Sequence, residues 1–126
     1  MNADFDINKI TEMIIGCAYR VGGTLGSGFL EKVYENALIV ELRNANVPFT
    51  QQHPLKVVYC GEVVGEYIAD ILVANSVVVE IKALRQLEKI HMAQCLNYLK
   101  ALNLRIGLLI NFGTPSVEIK RIVNGL

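Results

Sequence analysis

The segment from Asp70 to Glu80 is the feature that most constrains the fold of this chain of 126 residues. Two apolar, mostly β-branched runs, 71–73 and 77–79, flank Ala74-Asn75-Ser76, a pattern typical of a β-hairpin. With Asn75 at the centre of the turn, position 73 pairs with position 77 and Asp70 pairs with Glu80. Directly opposite side chains in a ribbon have Cβ atoms about 5 Å apart, so the two carboxylates are predicted to face each other.

Lys82 lies two residues beyond Glu80 and therefore projects from the same face of the strand. Two opposed carboxylates repel each other unless a proton or a cation lies between them, and magnesium prefers oxygen ligands. The pattern indicates a magnesium site of Asp70 and Glu80, with the backbone carbonyl of Ile81 as a further ligand. Lys82 is predicted to orient or deprotonate a water molecule, or to neutralise charge on a phosphate.

The alternative is a surface hairpin on which Glu80 and Lys82 form a weak, exposed ion pair. However, the run 77–82 is too apolar for a strand that faces water. Charges within an apolar strand are costly to desolvate unless partners meet them. This favours the end of a sheet, or a cleft, as the location of the two charges.

Hydrophobic periodicity predicts helices on both sides of the hairpin. The first is expected to begin at Asp6 or Asn8 and to end near Val21, before a glycine-rich stretch; the second is expected to begin at Ser27 or Gly28. The further expected elements are the end of the second helix at 44–46, antiparallel strands from about 50 with a turn at 60–62, a helix at 85–102, a buried strand at 105–111 and a strand or short helix at 117–123. The predicted fold class is α/β, with a mixed β-sheet flanked by helices.

Composition predicts one folded domain over residues 1–126, since 52% of the residues are hydrophobic and 19% are charged. Cys17, Cys60 and Cys95 form no CxxC pair and are expected to be reduced and mostly buried, as in an intracellular protein. No signal peptide is recognisable, and no apolar stretch approaches the roughly 20 residues of a spanning helix. We therefore expect a soluble, cytoplasmic protein.

The charges are balanced overall, with twelve acidic and twelve basic residues, but they are unevenly distributed. Residues 51–81 contain four acidic residues and one basic residue, whereas 82–105 contain one acidic and five basic residues. An acidic hairpin beside a basic helix suits a phosphate-bearing substrate. The alternative interpretation of the basic segment is a solvated helix face.

Three further side chains could contribute to a site on the helices. Gln94 and Tyr98 are four residues apart and share a helical face, where they could hold a nucleic-acid backbone or orient Lys82; the alternative is an amphipathic helix with a partly buried tyrosine. Glu31, by itself, is most simply a first-turn acid that favours the helix dipole. His91 has no second ligand at metal-binding spacing and is expected at the surface or in a cap.

Together, Asp70 and the run Glu80-Ile81-Lys82 resemble the metal-binding signature of the PD-(D/E)XK nuclease superfamily, whose core is helix, three strands, helix, strand. The segment Gly28-Phe-Leu-Glu31-Lys-Val-Tyr34 is similar to the motif that names the GxxExxY proteins, a prokaryotic group within that superfamily. The similarity extends through 97–99 and 109–113. Two positions depart from the pattern of the group, Gly22 where histidine is common and Ser27 where proline is common.

The resemblance implies that Glu31 joins Asp70 and Glu80 around magnesium or manganese, with Lys82 as the catalytic lysine. It also implies that the glutamine and tyrosine of the third helix correspond to the QxxxY pattern of an exonuclease-like branch. The candidate substrate contacts are Gln94, Tyr98, Tyr34 and Arg85.

The resulting hypothesis is a magnesium-dependent nuclease that hydrolyses DNA phosphodiester bonds with water as the nucleophile. One alternative is a non-catalytic module that binds nucleic acid or protein and retains the nuclease fold. Another is a subunit of a homo-oligomer or larger complex, since the mean hydropathy of +0.37 in so short a chain suggests uncovered apolar surface.

Overall fold

The computed structural model describes residues 3–125, which form helices and strands in the predicted order. The elements are α1 (Ala3–Leu25), α2 (Glu31–Asn44), β1 (Phe49–Tyr59), β2 (Glu62–Val73), β3 (Val77–Lys82), α3 (Lys89–Leu102), β4 (Ile106–Asn111) and β5 (Glu118–Val123). The sequence predicts a strand or a short helix at 117–123, and the structure has a strand there.

The five strands form one mixed sheet in the order β1-β2-β3-β4-β5, with β3 at its centre. β1, β2 and β3 are consecutive antiparallel strands, as predicted. β3 and β4 are parallel, and α3 makes the crossover between them. β5 pairs with β4 in antiparallel orientation and closes the second side of the sheet.

The predicted register of the β2–β3 hairpin is confirmed. Val73 is opposite Val77, and two further pairs follow, ending with Ile71 opposite Val79. Ala74 and Asn75 both have positive φ, at 52° and 53°, and the Ser76 N–H donates to the Val73 carbonyl at 3.0 Å. A tight turn of this kind aligns the three residues on each side of it with their predicted partners, but the ladder ends before the predicted pair of Asp70 with Glu80.

The sheet lies between two helical layers. The larger core contains α1, α2 and the odd-numbered residues of β3, namely Val77, Val79 and Ile81. The smaller core contains Val78 of β3 together with Tyr98 and Leu99 of α3. Because side chains alternate along a strand, Glu80 and Lys82 project on the same side as Val78, toward α3.

The predicted bounds of α1 are wrong at both ends, since the helix begins at Ala3 and continues through Gly22 and Gly23 to Leu25. Glycine weakens a helix but does not end it when tertiary packing favours continuation. A Cβ at Gly22 would overlap the Val117 side chain and lie 3.8 Å from the Phe112 ring. Gly22 therefore permits the close approach of α1 to the segment before β5.

The prediction that α2 begins at Ser27 or Gly28 is also wrong, since the first helical residue is Glu31. Gly26 and Gly28 have φ values of 69° and 118°, which L side chains rarely adopt, so the chain turns there before it becomes helical. The Tyr34 hydroxyl donates to the Gly26 carbonyl at 2.6 Å and accepts the Phe29 N–H at 3.1 Å. The turn is therefore tied to the helix that follows it. α2 ends at Asn44, within the predicted bounds.

α3 begins at Lys89, four residues later than predicted. A reciprocal cap explains this start: the Glu88 side chain accepts a backbone N–H of the first turn, and the Glu88 N–H donates to Nδ1 of His91 at 2.9 Å. The predicted capping role of His91 is confirmed. Residues 83–88 form a loop instead of helix.

None of the helices in the described part of the chain combines the length and apolar character that a bilayer span requires. Cys17 and Cys95 are buried and Cys60 is exposed, and all three are free thiols. The expectation that the cysteines are mostly buried is confirmed by these positions.

Candidate metal and nucleic-acid site

The β2–β3 pairing ends at a fork that Asp70 and Glu80 occupy. Beyond Ile71 and Val79, β2 stays paired with β1 while β3 stays paired with β4. The Asp70 N–H donates to Oε2 of Glu80 at 2.8 Å, and the Ile81 N–H donates to Oδ2 of Asp70 at 2.7 Å. Across the fork, each carboxylate thus accepts a backbone N–H that a main-chain carbonyl would accept in a continuous ladder. The two carboxylates lie close together.

The electrostatics of the pair favour a cation. Burial, followed by the negative charge of Asp70, raises the pKa of Glu80 from 4.5 to about 8. Burial is also the main cause of the raised pKa of Asp70. The charges of Glu35 and Glu31 raise this pKa further, whereas the hydrogen bond from the Ile81 N–H and the charge of Lys82 lower it. The Ile81 N–H and Lys82 therefore do not outweigh the effect of burial, so both carboxyl groups keep their protons to a higher pH than free carboxyl groups do.

Lys82 is partly exposed and lies two residues beyond Glu80 on the same face of β3. Its charge lowers the pKa of both carboxyl groups but does not cancel the effect of burial. Among residues 3–125, Lys82 makes no ion pair within 4.0 Å. The alternative of an exposed Glu80–Lys82 ion pair is therefore wrong, since Glu80 is only 4% exposed.

Asn111 holds the chain directly after Lys82 in place. Its fully buried side chain accepts the Leu84 N–H at 2.9 Å and donates to the Leu84 carbonyl at 2.9 Å. The Phe112 N–H donates to the Lys82 carbonyl at 2.8 Å. A Cβ at Gly113 would overlap the Leu84 backbone, so only glycine allows this approach. The end of β4 thereby positions the lysine.

An open cavity of about 540 Å³ lies between the start of α2 and the fork, and both Glu31 and Asp70 line it. Glu31 is the first residue of α2 and is exposed. In the described part of the chain, no three His, Cys, Asp or Glu side chains are grouped closely enough to hold a metal ion. The structure therefore brings Glu31 to the same cavity as Asp70 but not into a cluster of three carboxylates.

Glu35 is a member of this cavity that the sequence reasoning did not single out. It is 3% exposed, and its Oε2 accepts three hydrogen bonds, from Lys32 Nζ at 3.0 Å, Gln51 Nε2 at 2.6 Å and Gln52 Nε2 at 2.9 Å. The available signal was its spacing: Glu35 precedes the buried Ile39 by four residues, so it lies on the apolar side of α2.

Gln52 reaches Glu35 because the backbone of β1 is distorted there. Neighbouring side chains of a strand normally point to opposite faces, yet Gln51 and Gln52 bind the same oxygen. Gln52 has a φ of 56° and has no partner in the β1–β2 ladder, which goes from Gln51 opposite Ile71 to His53 opposite Ala69. Non-glycine residues held in this conformation are costly and cluster at functional sites.

On the α3 side, Gln94 Nε2 donates to the Tyr98 hydroxyl at 3.3 Å, so the two share one face as predicted. Tyr98 is 7% exposed. Its pKa is raised mainly by burial and then by the charges of Glu80 and Asp70. The glutamine and tyrosine therefore lie beside the carboxylate pair.

The two remaining predicted substrate contacts lie in different environments. Tyr34 is fully buried, and its ring stacks on Phe112 with centroids 4.7 Å apart. The prediction that Tyr34 contacts substrate is not supported, because its ring and hydroxyl are both used to hold the loop before α2. Arg85 is exposed in the loop between β3 and α3.

Comparison with known proteins identifies a family and a protein of similar fold. A sequence profile of the PD-(D/E)XK nuclease superfamily matches residues 8–122. The chain is similar to the protein in the crystal structure of SSO0001, with 23% sequence identity and a TM-score of 0.59 over 76% of this chain. The match covers 51% of that solved chain, so this chain spans about half of its length. At this identity the likeness concerns the fold alone. No curated protein matches the sequence.

Proposed function

Because this chain belongs to the PD-(D/E)XK nuclease superfamily, we propose that it is a divalent-metal-dependent nuclease that hydrolyses DNA phosphodiester bonds. The observation that carries the proposal is the fork, where each carboxylate accepts a backbone N–H from the other strand. The Glu80 carboxylate accepts the Asp70 N–H at 2.8 Å, and the Asp70 carboxylate accepts the Ile81 N–H at 2.7 Å. We further assign the chain to the GxxExxY group, on the segment 28–34, and to the cytoplasm, on its free thiols.

The donor set at the fork fits magnesium or manganese. Asp70 and Glu80 supply hard carboxylate oxygens, and a bound cation would offset the burial that disfavours their ionised forms. The Ile81 carbonyl and the exposed Glu31 are the further proposed ligands. A divalent cation bound there supplies Lewis-acid activation of water and neutralises charge on the phosphate.

Lys82 is the proposed catalytic lysine. From the same face of β3 as Glu80, its ammonium donates hydrogen bonds to the attacking water or to a phosphate oxygen. Asn111 and Phe112 restrict the backbone at Lys82 and directly after it, which limits the entropy lost when the side chain is positioned. Gln94, Tyr98 and Arg85 are the proposed contacts to the nucleic acid.

The test is cleavage of labelled single- and double-stranded DNA and RNA, with magnesium, manganese or EDTA. Asp70→Asn and Glu80→Gln keep the shape of the side chains and should each lower the rate about 100-fold or more, because each removes a charge from the reacting centre. Glu66→Gln, an exposed acid on the same strand as Asp70, is the matched control and should cleave at the wild-type rate. Equal rates for wild type and Asp70→Asn would contradict the proposal.

A second candidate is a nucleic-acid-binding module that retains the nuclease fold without hydrolysis. The observation that favours it is the absence, among residues 3–125, of three closely grouped metal-ligating side chains. Calorimetric titration with manganese chloride separates the two functions. One manganese ion per chain, with affinity lost in Asp70→Asn, favours the nuclease. No manganese binding, even with DNA present, favours the binding module.

A further inference from the structure

A groove of about 850 Å³ lies between α3 and the part of the β1–β2 hairpin that extends beyond the rest of the sheet. We call it the α3 groove. Its hairpin wall consists of Val57, Val58 and Tyr67, and Ile90 lines the opposite wall on α3. Its volume lies within the roughly 300–1,000 Å³ of sites for small organic molecules. The groove is therefore an apolar slot that is large enough for a nucleobase.

The aromatic side chains of the groove offer a stacking surface. The Tyr67 and Tyr98 rings have centroids 5.7 Å apart and are tilted by 46°. Tyr98 is almost fully buried, whereas Tyr67 is 49% exposed. A flat, apolar ligand in the groove therefore meets the half-exposed ring of Tyr67, which packs against Tyr98.

The polar lining suits nucleic acid. The amides of Gln94 and Asn97 line the groove and supply both donors and acceptors for base edges. Lys100 lies at the groove, and Lys89 begins the same helix. α3 contains no aspartate or glutamate, so the charge of this wall complements a phosphate backbone.

The groove leads to the carboxylate pair. Tyr98 lines the groove, and the charges of Glu80 and Asp70 raise its pKa in addition to the effect of burial. Tyr67 is three residues from Asp70 on β2. A strand whose base lies against Tyr67 is therefore within a short distance of the proposed site of hydrolysis.

We infer that the α3 groove binds unpaired nucleobases of a nucleic-acid strand, and that the proposed nuclease acts on single-stranded segments or ends. This inference rests on the proposed function for its link to cleavage. A duplex keeps its base faces stacked inside the helix and presents mainly phosphates, so it gains nothing from an apolar aromatic slot. Unpaired bases expose faces that stack on tyrosine independently of sequence.

The experiment measures fluorescence anisotropy of fluorescein-labelled 12-mers in EDTA, so that cleavage plays no part. The probes are single-stranded DNA, the same sequence as RNA, and the blunt DNA duplex. The full chain should bind a single strand at least 10-fold more tightly than the duplex. Tyr67→Ala should weaken single-strand binding roughly 5- to 150-fold, the effect of one lost base–aromatic stack.

Two variants make the result specific. Tyr67→Phe keeps the ring and should bind as wild type does. Tyr59→Ala removes a tyrosine that is more exposed, at 70%, near the tip of the same hairpin and outside the groove, and it should also bind as wild type does. Circular dichroism of Tyr67→Ala, with unchanged thermal unfolding, shows that the loss is not one of folding.

The outcomes separate this inference from the proposed function. Binding of DNA, of RNA or of both single strands supports the groove and identifies the source of the bases. Equal affinity for duplex and single strand, or an unchanged Tyr67→Ala, overturns the inference even if the protein cleaves DNA. Tyr67-dependent binding without metal-dependent cleavage supports the groove and overturns the nuclease. A further outcome is that light scattering shows a dimer, that Tyr67→Ala dissociates it, and that no oligonucleotide binds. In that case the groove binds a second copy of this chain, and the inference is overturned.

Discussion

Glu80 illustrates why the fork is energetically costly. Its carboxyl group is buried at the end of an otherwise apolar strand, where it accepts the Asp70 N–H and lies beside a second carboxylate. Burial and the neighbouring charge both favour the protonated form. The folded protein without metal therefore retains a proton that the unfolded chain releases.

The stability of the metal-free protein should consequently fall as the pH rises. Folding raises the pKa of Glu80 from 4.5 to about 8. Its contribution to the free energy of unfolding is therefore fully present below pH 4.5 and is lost as the pH rises through about 8. The raised pKa of Asp70 adds to the loss in the same direction. Urea unfolding in EDTA should show a free energy of unfolding that is a few kcal/mol lower at pH 8.5 than at pH 5.5.

Glu80→Gln serves as the control for that titration, because it removes the ionisable group while the side-chain oxygen still accepts the Asp70 N–H. The variant should lose most of the pH dependence. Manganese should stabilise the wild type more at pH 8.5 than at pH 5.5, since it binds the ionised pair. A wild-type stability that is constant over this pH range would contradict the assigned burial of Glu80.

Glu31 and Glu35 are one helical turn apart and should respond differently to the same substitution. Glu35→Gln removes the charge that accepts bonds from Lys32, Gln51 and Gln52, and it should lower the free energy of unfolding by about 1–3 kcal/mol. Glu31→Gln changes an exposed side chain and should alter stability by less than about 0.5 kcal/mol. Urea denaturation measures both, and equal effects would contradict this difference in burial.

At the scale of elements, local patterns predicted the hairpin and failed at the helix starts. The register of β2 and β3 follows from the turn and from alternation of side chains, both of which depend on neighbouring residues. The bounds of the helices depend on turns, reciprocal caps and packing as well as on periodicity. Gly22 illustrates the packing, because a Cβ at this position in α1 would overlap the side chain of Val117, which is 95 residues away.

Adjacent glycines in α1 provide a matched test of that contact. Gly22→Ala should lower the free energy of unfolding by about 1–3 kcal/mol, since its Cβ would overlap the Val117 side chain. Gly23→Ala should raise it by about 0.5–1 kcal/mol, because Gly23 is helical with nothing within 4 Å of the added Cβ. Thermal or urea denaturation measures both signs. A stabilising Gly22→Ala would mean that α1 does not pack on this segment.

At the scale of the whole molecule, the site results from the way the sheet divides. β2 leaves β3 to continue with β1, while β3 continues with its parallel partner β4, so an opening arises in the middle of the sheet. The fork lies between the cavity beside α2 and the groove beside α3. Charged groups and water can be accommodated at such an opening, whereas the continuous part of the sheet is apolar on both faces.

The sequence by itself determined the α/β class, the strand order along the chain, the hairpin register and the approach of Asp70 to Glu80. These features depend on periodicity and turn chemistry, which act over a few residues. Only the tertiary structure decided that Glu35 is buried at the cavity, that Tyr34 is internal and that Asn111 positions the chain after Lys82. Those outcomes depend on which distant side chains meet when the layers pack, and burial and desolvation are set by the complete assembly of helices and strands.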